Sequence, residues 1–166
     1  MLQYLFCYRL AHKIVYYGVA AGPFALVYYL CRNYFPGWPD GWTFAGFVAS
    51  LVMGFLLGFL LEAFLGMIAF WFLEVSSLLF IYMMLNYFLS GHMIPLDLLG
   101  PNINAVIEYL PFKFLAYSPA AIFLGKYSHA ELVRELVLEL SWIVLLWLGC
   151  RVAFARGLKR YSAFGG

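Results

Sequence analysis

The chain has 166 residues, 66% of them hydrophobic and only 11% charged, with a formal net charge of +2. A soluble domain is about half apolar and a quarter charged. A chain this short has too little interior to hide that excess, so lipid has to cover it. The basic residues lie beside apolar stretches and read as orientation signals rather than as a nucleic-acid surface.

The N-terminus does not read as a cleaved signal. Its first basic residue is Arg9, and the apolar segment that follows is too long and wrongly flanked. The first span is expected at about 10–31, "LAHKIVYYGVAAGPFALVYYLC", long enough for about 20 residues per crossing. "RNYFPGWPDG" then carries two prolines and two glycines and reads as a turn. From Trp42 to Met93 the only charges are Glu62 and Glu74. As one helix this stretch would run about 78 Å against a hydrocarbon core of about 30 Å, so it has to fold back. The break is placed around Phe70–Ser77, giving a second span at about 42–64 and a third at about 72–93. A fourth is expected at about 132–152, ahead of a basic tail. Seventeen Phe, thirteen Tyr and five Trp suit interfacial aromatic belts.

Between the third and fourth spans the chain stays greasy without entering water. Pro95, Pro101, Pro111 and Pro119 cut it into pieces too short to cross. "NINAVIEYL" has apolar residues at 103, 106, 107 and 110, the face of a short amphipathic helix. "PAAIFLGK" reads as another short helix with proline in its first turn. Irregular backbone at membrane depth survives only where protein or a wet cavity covers it. A re-entrant or interfacial helical hairpin at about 95–130 is therefore expected, with Pro95, Asp97, Pro111 and Pro119 shaping it; an ordinary loop resting on lipid is the plainer reading. The fold class is all-α integral membrane protein, a single polytopic domain over 1–166 with about four transmembrane helices. Arg151, Arg156, Lys159 and Arg160 put the C-terminus in the cytoplasm, and four spans put the N-terminus there too. Arg32, Lys113, Lys126 and Arg134 fall outside.

Gly46, Ser50, Gly54 and Gly58 recur every four residues, and Gly18 and Gly22 repeat the spacing in the first span. Small residues let helix backbones approach in lipid, so these six positions are expected to form a packing seam; the plainer reading is that glycine is frequent in such helices. Glu62 and Asn86 are polar residues near the hydrocarbon. Glu62 is weighed between a transport role and snorkelling to the interface, and Asn86 is expected to bond between helices. Cys7, Cys31 and Cys150 match no metal or redox spacing, and His12, His92 and His129 form no ligand pair, even with Asp97 near. No phosphate-binding loop, nucleophile elbow or zinc-protease motif occurs, and no pair of carboxylates stands out for acid–base work. Catalysis, a metal and a cofactor are not expected.

"GHMIPLDLL", then "LPFKFLAYSPAAIFLGK", then the ending "RGLKRYSAFGG" resemble the C-terminal part of ATP-binding-cassette permeases of the type-2 export class, in a bacterial six-span subgroup with an "RRGLRRYxAxGG"-like tail. The resemblance runs from "YRLAHKI" onward. It implies a permease subunit in the bacterial cytoplasmic membrane, paired with a second permease subunit (a homo- or heterodimer) and driven by a separate cytoplasmic ATPase. It also implies a short outer hairpin before the last span. In that family two further spans and a cytoplasmic coupling helix precede the point matching Met1, so this chain is expected to be a truncated permease, one read from a late start, or a split subunit. Its best remaining ATPase contact is then Glu74, at the inner turn. The alternative is a non-transporting accessory protein packed against a complete permease.

Overall fold

The computed structural model describes residues 2–34, 37–68, 70–71 and 75–162. They are helical apart from short turns and fall into two compact units, 1–38 and 39–166.

The first unit is α1 (Leu2–Leu30), followed by a 3-10 turn at Arg32–Tyr34. Its 29 residues make a rod of about 43 Å, longer than the hydrocarbon core. Pro23 lies inside it and removes one backbone donor, which weakens the helix at that level. Lys13 lies over the Tyr17 ring within the helix, and Arg32 lies over that of Tyr29 just past its C-terminal end.

The second unit is built on α2 (Gly41–Ile68) and α6 (His129–Ser162). Asp40 starts α2: its carboxylate accepts from the Trp42 and Thr43 amides and from the Thr43 hydroxyl, covering donors that a helix start leaves open. Thr43 holds this carboxyl below its ordinary range. Ser128 starts α6 in a capping box. The Glu131 amide donates to the Ser128 hydroxyl, and the Glu131 carboxylate accepts from the Ser128 amide. That cap sets the helix start three residues before the expected span.

Among the described residues three helices are long and apolar enough to cross a membrane, by length and composition: Phe6–Leu30, Gly41–Ile68 and His129–Lys159. The fourth apolar helix, α3 (Ser76–Leu89), has 14 residues and spans about 21 Å, short of the roughly 30 Å core. It stops before Met93 because Ser90 turns back on it. The Ser90 amide and hydroxyl both donate to the Asn86 carbonyl, and Gly91 follows at φ +84°, a conformation that favours glycine. Between α2 and α3, Phe70 and Trp71 turn back on the carbonyls of Met67 and Ile68. Glu74 lies outside the described residues.

The chain between α3 and α6 consists of a 3-10 turn (Leu96–Leu98), α4 (Pro101–Ile107), a second 3-10 turn (Pro111–Leu115) and α5 (Tyr117–Phe123). Its deepest part is the second turn. Phe114 is fully buried with Leu57 and Leu61 of α2, Tyr82 of α3 and Leu146 of α6. α4 ends at 107, before the expected Leu110, and packs through Ile107, while Ile103 and Val106 face outward. Two turns of helix cannot bury a face that needs three.

Candidate functional site

Two helix faces meet here with complementary side chains. On α2 the buried row is Gly46, Ser50, Gly54, Leu57 and Leu61. On α6 it is Leu132, Glu135, Glu139, Leu146 and Cys150, spaced by threes, fours and sevens. Where the residues of α2 are small, the neighbours come close. A Cβ on Gly46 would stand 2.9 Å from the Leu132 side chain, and one on Gly54 would stand 2.8 Å from the Phe114 carbonyl oxygen and 3.5 Å from Glu139 Oε1. Gly58 faces Leu115 at 3.4 Å. In the first unit, a Cβ on Gly18 or Gly22 would meet no atom within 4 Å.

Into this narrow gap the sequence places charge. The Ser50 hydroxyl donates to Glu139 Oε2 at 3.0 Å, both residues being buried. Lys113, from the hairpin's deepest turn, reaches Glu135 at 2.7 Å, with both side chains nearly closed to solvent. Its ammonium also lies over the Phe114 ring, 4.9 Å from the centroid. Glu139 Oε1 accepts no hydrogen bond among the described residues. A buried ion pair adds little net stability, but breaking one by removing a partner is strongly destabilising. Lys113–Glu135 therefore works as a clamp that fixes where the hairpin sits on α6. Trp142 adds a second tie, its ring N–H donating to the Tyr109 carbonyl at 2.9 Å.

The hairpin is also closed on itself. Asp97 pairs with Lys126 and accepts from the Tyr117 hydroxyl, and Lys126 lies over the Tyr117 ring. Lys126, then Tyr117, hold the Asp97 carboxyl below its ordinary range. Burial, then the Asp97 carboxylate, push the Tyr117 hydroxyl above its own. Burial, then the charge of Glu135, do the same for Tyr127. The Tyr117 amide donates to the Ser90 carbonyl, and a side chain on Gly91 would press on Tyr117 Cβ at 3.2 Å, so the start of α5 rests on the end of α3.

Of the residues singled out from sequence, Pro95 precedes the first 3-10 turn, Pro111 opens the second and is buried, and Pro119 is buried in α5. Glu62 is half-buried on α2. Asn86 Oδ1 is buried and takes no hydrogen bond among the described residues; its backbone carbonyl serves Ser90 instead. The histidines do not converge. His92 meets Ser90 at 2.6 Å, His129 lies 3.8 Å from Asp40, and Asp97 belongs to Lys126. Among the described residues no three His, Cys, Asp or Glu side chains are grouped to hold a metal. Sequence reading missed Lys113, Glu135 and Glu139. Lys113, read as an outside charge, is buried because Glu135 draws it inward. The available signal was two glutamates one helical turn apart at the head of an apolar span, a costly placement that asks for partners.

Long apolar helices closed at one end by a clamped hairpin define a polytopic helical membrane protein with no catalytic constellation among its described residues. A family model described as ABC-2 family transporter protein matches residues 7–165, nearly the whole chain, and the chain belongs to that family. The family implies a transport permease role, with the ATPase on a separate subunit. No curated protein and no solved structure matches.

Proposed function

We propose that this chain is a membrane-spanning permease subunit, or part of one, of an ATP-binding-cassette exporter. The observation that carries this reading is the family match over residues 7–165. The hairpin supports it: a segment buried by α2, α3 and α6 moves with those helices rather than apart from them. An exporter has to convert a movement driven at one membrane face into opening at the other, and a clamped hairpin is a means of doing so.

In this reading α1, α2 and α6 each cross the membrane, α3 makes the fourth passage together with the turn at 90–95 that follows it, and both termini lie in the cytoplasm. It pairs with a second permease subunit and takes its energy from a cytoplasmic ATPase that touches the turn around Glu74. The small-residue row on α2 keeps α2 and α6 in close register, and Gly18 and Gly22 offer a seam to a further helix. Copurification from membranes in a mild detergent tests the reading: an ATPase of the cassette class and a second permease subunit are expected with the tagged chain. Recovery of neither, from cells that express both, would overturn it. Single cysteines at Pro39 and Ser162 test the topology, and labelling of the Ser162 position from outside intact cells would refute it.

A further inference from the structure

No Asp or Glu follows Glu139 in the sequence, whereas Arg151, Arg156, Lys159 and Arg160 do. The basic stretch is not a separate tail, because α6 continues unbroken through it to Ser162. Leu146, Cys150 and Gly157 mark the face of α6 turned toward the protein. Leu146 lies in the core, Cys150 reaches the Leu60 carbonyl, and Gly157 lies against the Phe70 ring. At about 100° per residue, Arg151, Arg156 and Lys159 fall on the remaining arc, and all three are exposed. Trp147, Val152 and Leu158 share that arc and are also exposed, at 48%, 49% and 48%, whereas the Phe154 ring packs against Phe70. The Arg151 guanidinium lies over the Trp147 ring, 5.1 Å from its centroid.

The depth of these residues follows from the same helix. Arg134 and Arg151 are both exposed, and the α6 face between them offers only uncharged side chains. They stand about 26 Å apart along the axis, which matches a hydrocarbon core of about 30 Å once the arginines extend to its edges. Arg151 therefore marks the boundary. Arg156 and Lys159 lie about 8 and about 12 Å beyond it, in or within side-chain reach of a headgroup layer about 5–8 Å thick. Cations interleaved with an aromatic ring and aliphatic side chains on one arc match a surface that is anionic outside and apolar just below.

We propose that the last three turns of α6 bind the phosphates of anionic phospholipids in the leaflet where α6 leaves the membrane. Arg151 is seated by Trp147 at the boundary, and Arg156 and Lys159 reach the next headgroups. The full chain, purified from bilayers with equal amounts of phosphatidylglycerol and phosphatidylcholine, tests this through the two lipids it retains, quantified by mass spectrometry. The wild type should retain phosphatidylglycerol preferentially at low salt. Each of R151Q, R156Q and K159Q should cut that preference by about fivefold, and the triple variant should lose it. R134Q, at the other end of α6, should keep it. Raising salt from about 0.05 to about 0.5 M should abolish the wild-type preference, because the Debye length falls several-fold. The proposal is overturned by a triple variant that keeps its helical circular-dichroism spectrum and the preference, or by a preference that R134Q loses equally. It is also overturned if inorganic phosphate at constant ionic strength displaces the retained lipid, which would show a site for free anions. Where the triple variant does not fold, the single variants and the salt titration decide.

Discussion

Replacing Lys113 by methionine probes the clamp most directly. The substitution keeps the length and apolar volume of the side chain and deletes the ammonium, leaving Glu135 at 8% exposure without its counter-charge. Removing one partner of a buried pair costs about 3–5 kcal/mol. For a chain of this size each kcal/mol moves the melting point by about 2–4 °C, so K113M should melt about 10 °C lower. K113M/E135L removes both charges and should return to within about 3 °C of the wild type, because two apolar side chains replace the pair at little net cost. The assay is thermal unfolding of the purified chain in one detergent, followed by tryptophan fluorescence. Hydrogen exchange should place the loosening in the turn at 111–115. A melting point for K113M within about 2 °C of the wild type, or a double variant as weak as the single one, would refute the clamp.

The glycines of α2 separate close approach from simple abundance. Gly54→Ala drives a methyl group onto the Phe114 carbonyl and should destabilise by about 1–3 kcal/mol, whereas Gly66→Ala meets nothing within 4 Å and should stabilise by up to about 1 kcal/mol through helix propensity. Opposite shifts in detergent melting are expected, and shifts of the same sign would count against the seam. Ser128→Ala breaks the capping box and should cost about 1 kcal/mol, seen as faster hydrogen exchange in the first turn of α6 with its later turns unchanged. For the hairpin's own closure the signs follow from linkage. The lowered Asp97 carboxyl stabilises fully above its ordinary value of 3.8 and ceases to do so as pH falls through the lowered one. The raised Tyr117 hydroxyl stabilises fully below 10.0 and ceases to do so as pH rises through the raised value. Exchange at Gly125 and Lys126, corrected for intrinsic rates, should be flat near neutrality and rise at both extremes. D97N should remove the acid limb, and Y117F should weaken the alkaline one, the rest of which belongs to Tyr127.

How much of this was legible in the sequence depended on the distance over which each cause acts. The long apolar helices were legible because a lipid-facing helix needs apolar residues on every side, and that shows as uninterrupted hydropathy. The fold-back near Phe70 and the prolines that break up the hairpin were legible because length and proline chemistry act locally. The early end of α3 was not, since it depends on a serine bonding back to Asn86 and on glycine at positive φ, details that apolar composition overrides. The site was least legible. Lys113 and Glu135 are far apart in the chain and meet only once the hairpin folds against α6, and Ser50 finds Glu139 across two helices. Ser50 was singled out for its small size; its hydroxyl serves equally as a donor. The spacing of Asp97 gave no hint of Lys126, which reaches it only when the hairpin closes.

The continuity of α6 has a mechanical consequence. Its 34 residues contain no proline and make a rod of about 51 Å, with Glu135 near one end and Lys159 near the other. A stiff rod tilts as a whole: turned by about 5° about its midpoint, it carries each tip sideways by about 2 Å, in opposite directions. A push at the basic tip is therefore felt by the ion-paired glutamate without any change in local structure between them. Whatever pins that tip sets the pivot of the lever. Lipids gripping Arg151, Arg156 and Lys159 would move the pivot toward their own leaflet and lengthen the arm that sweeps the hairpin.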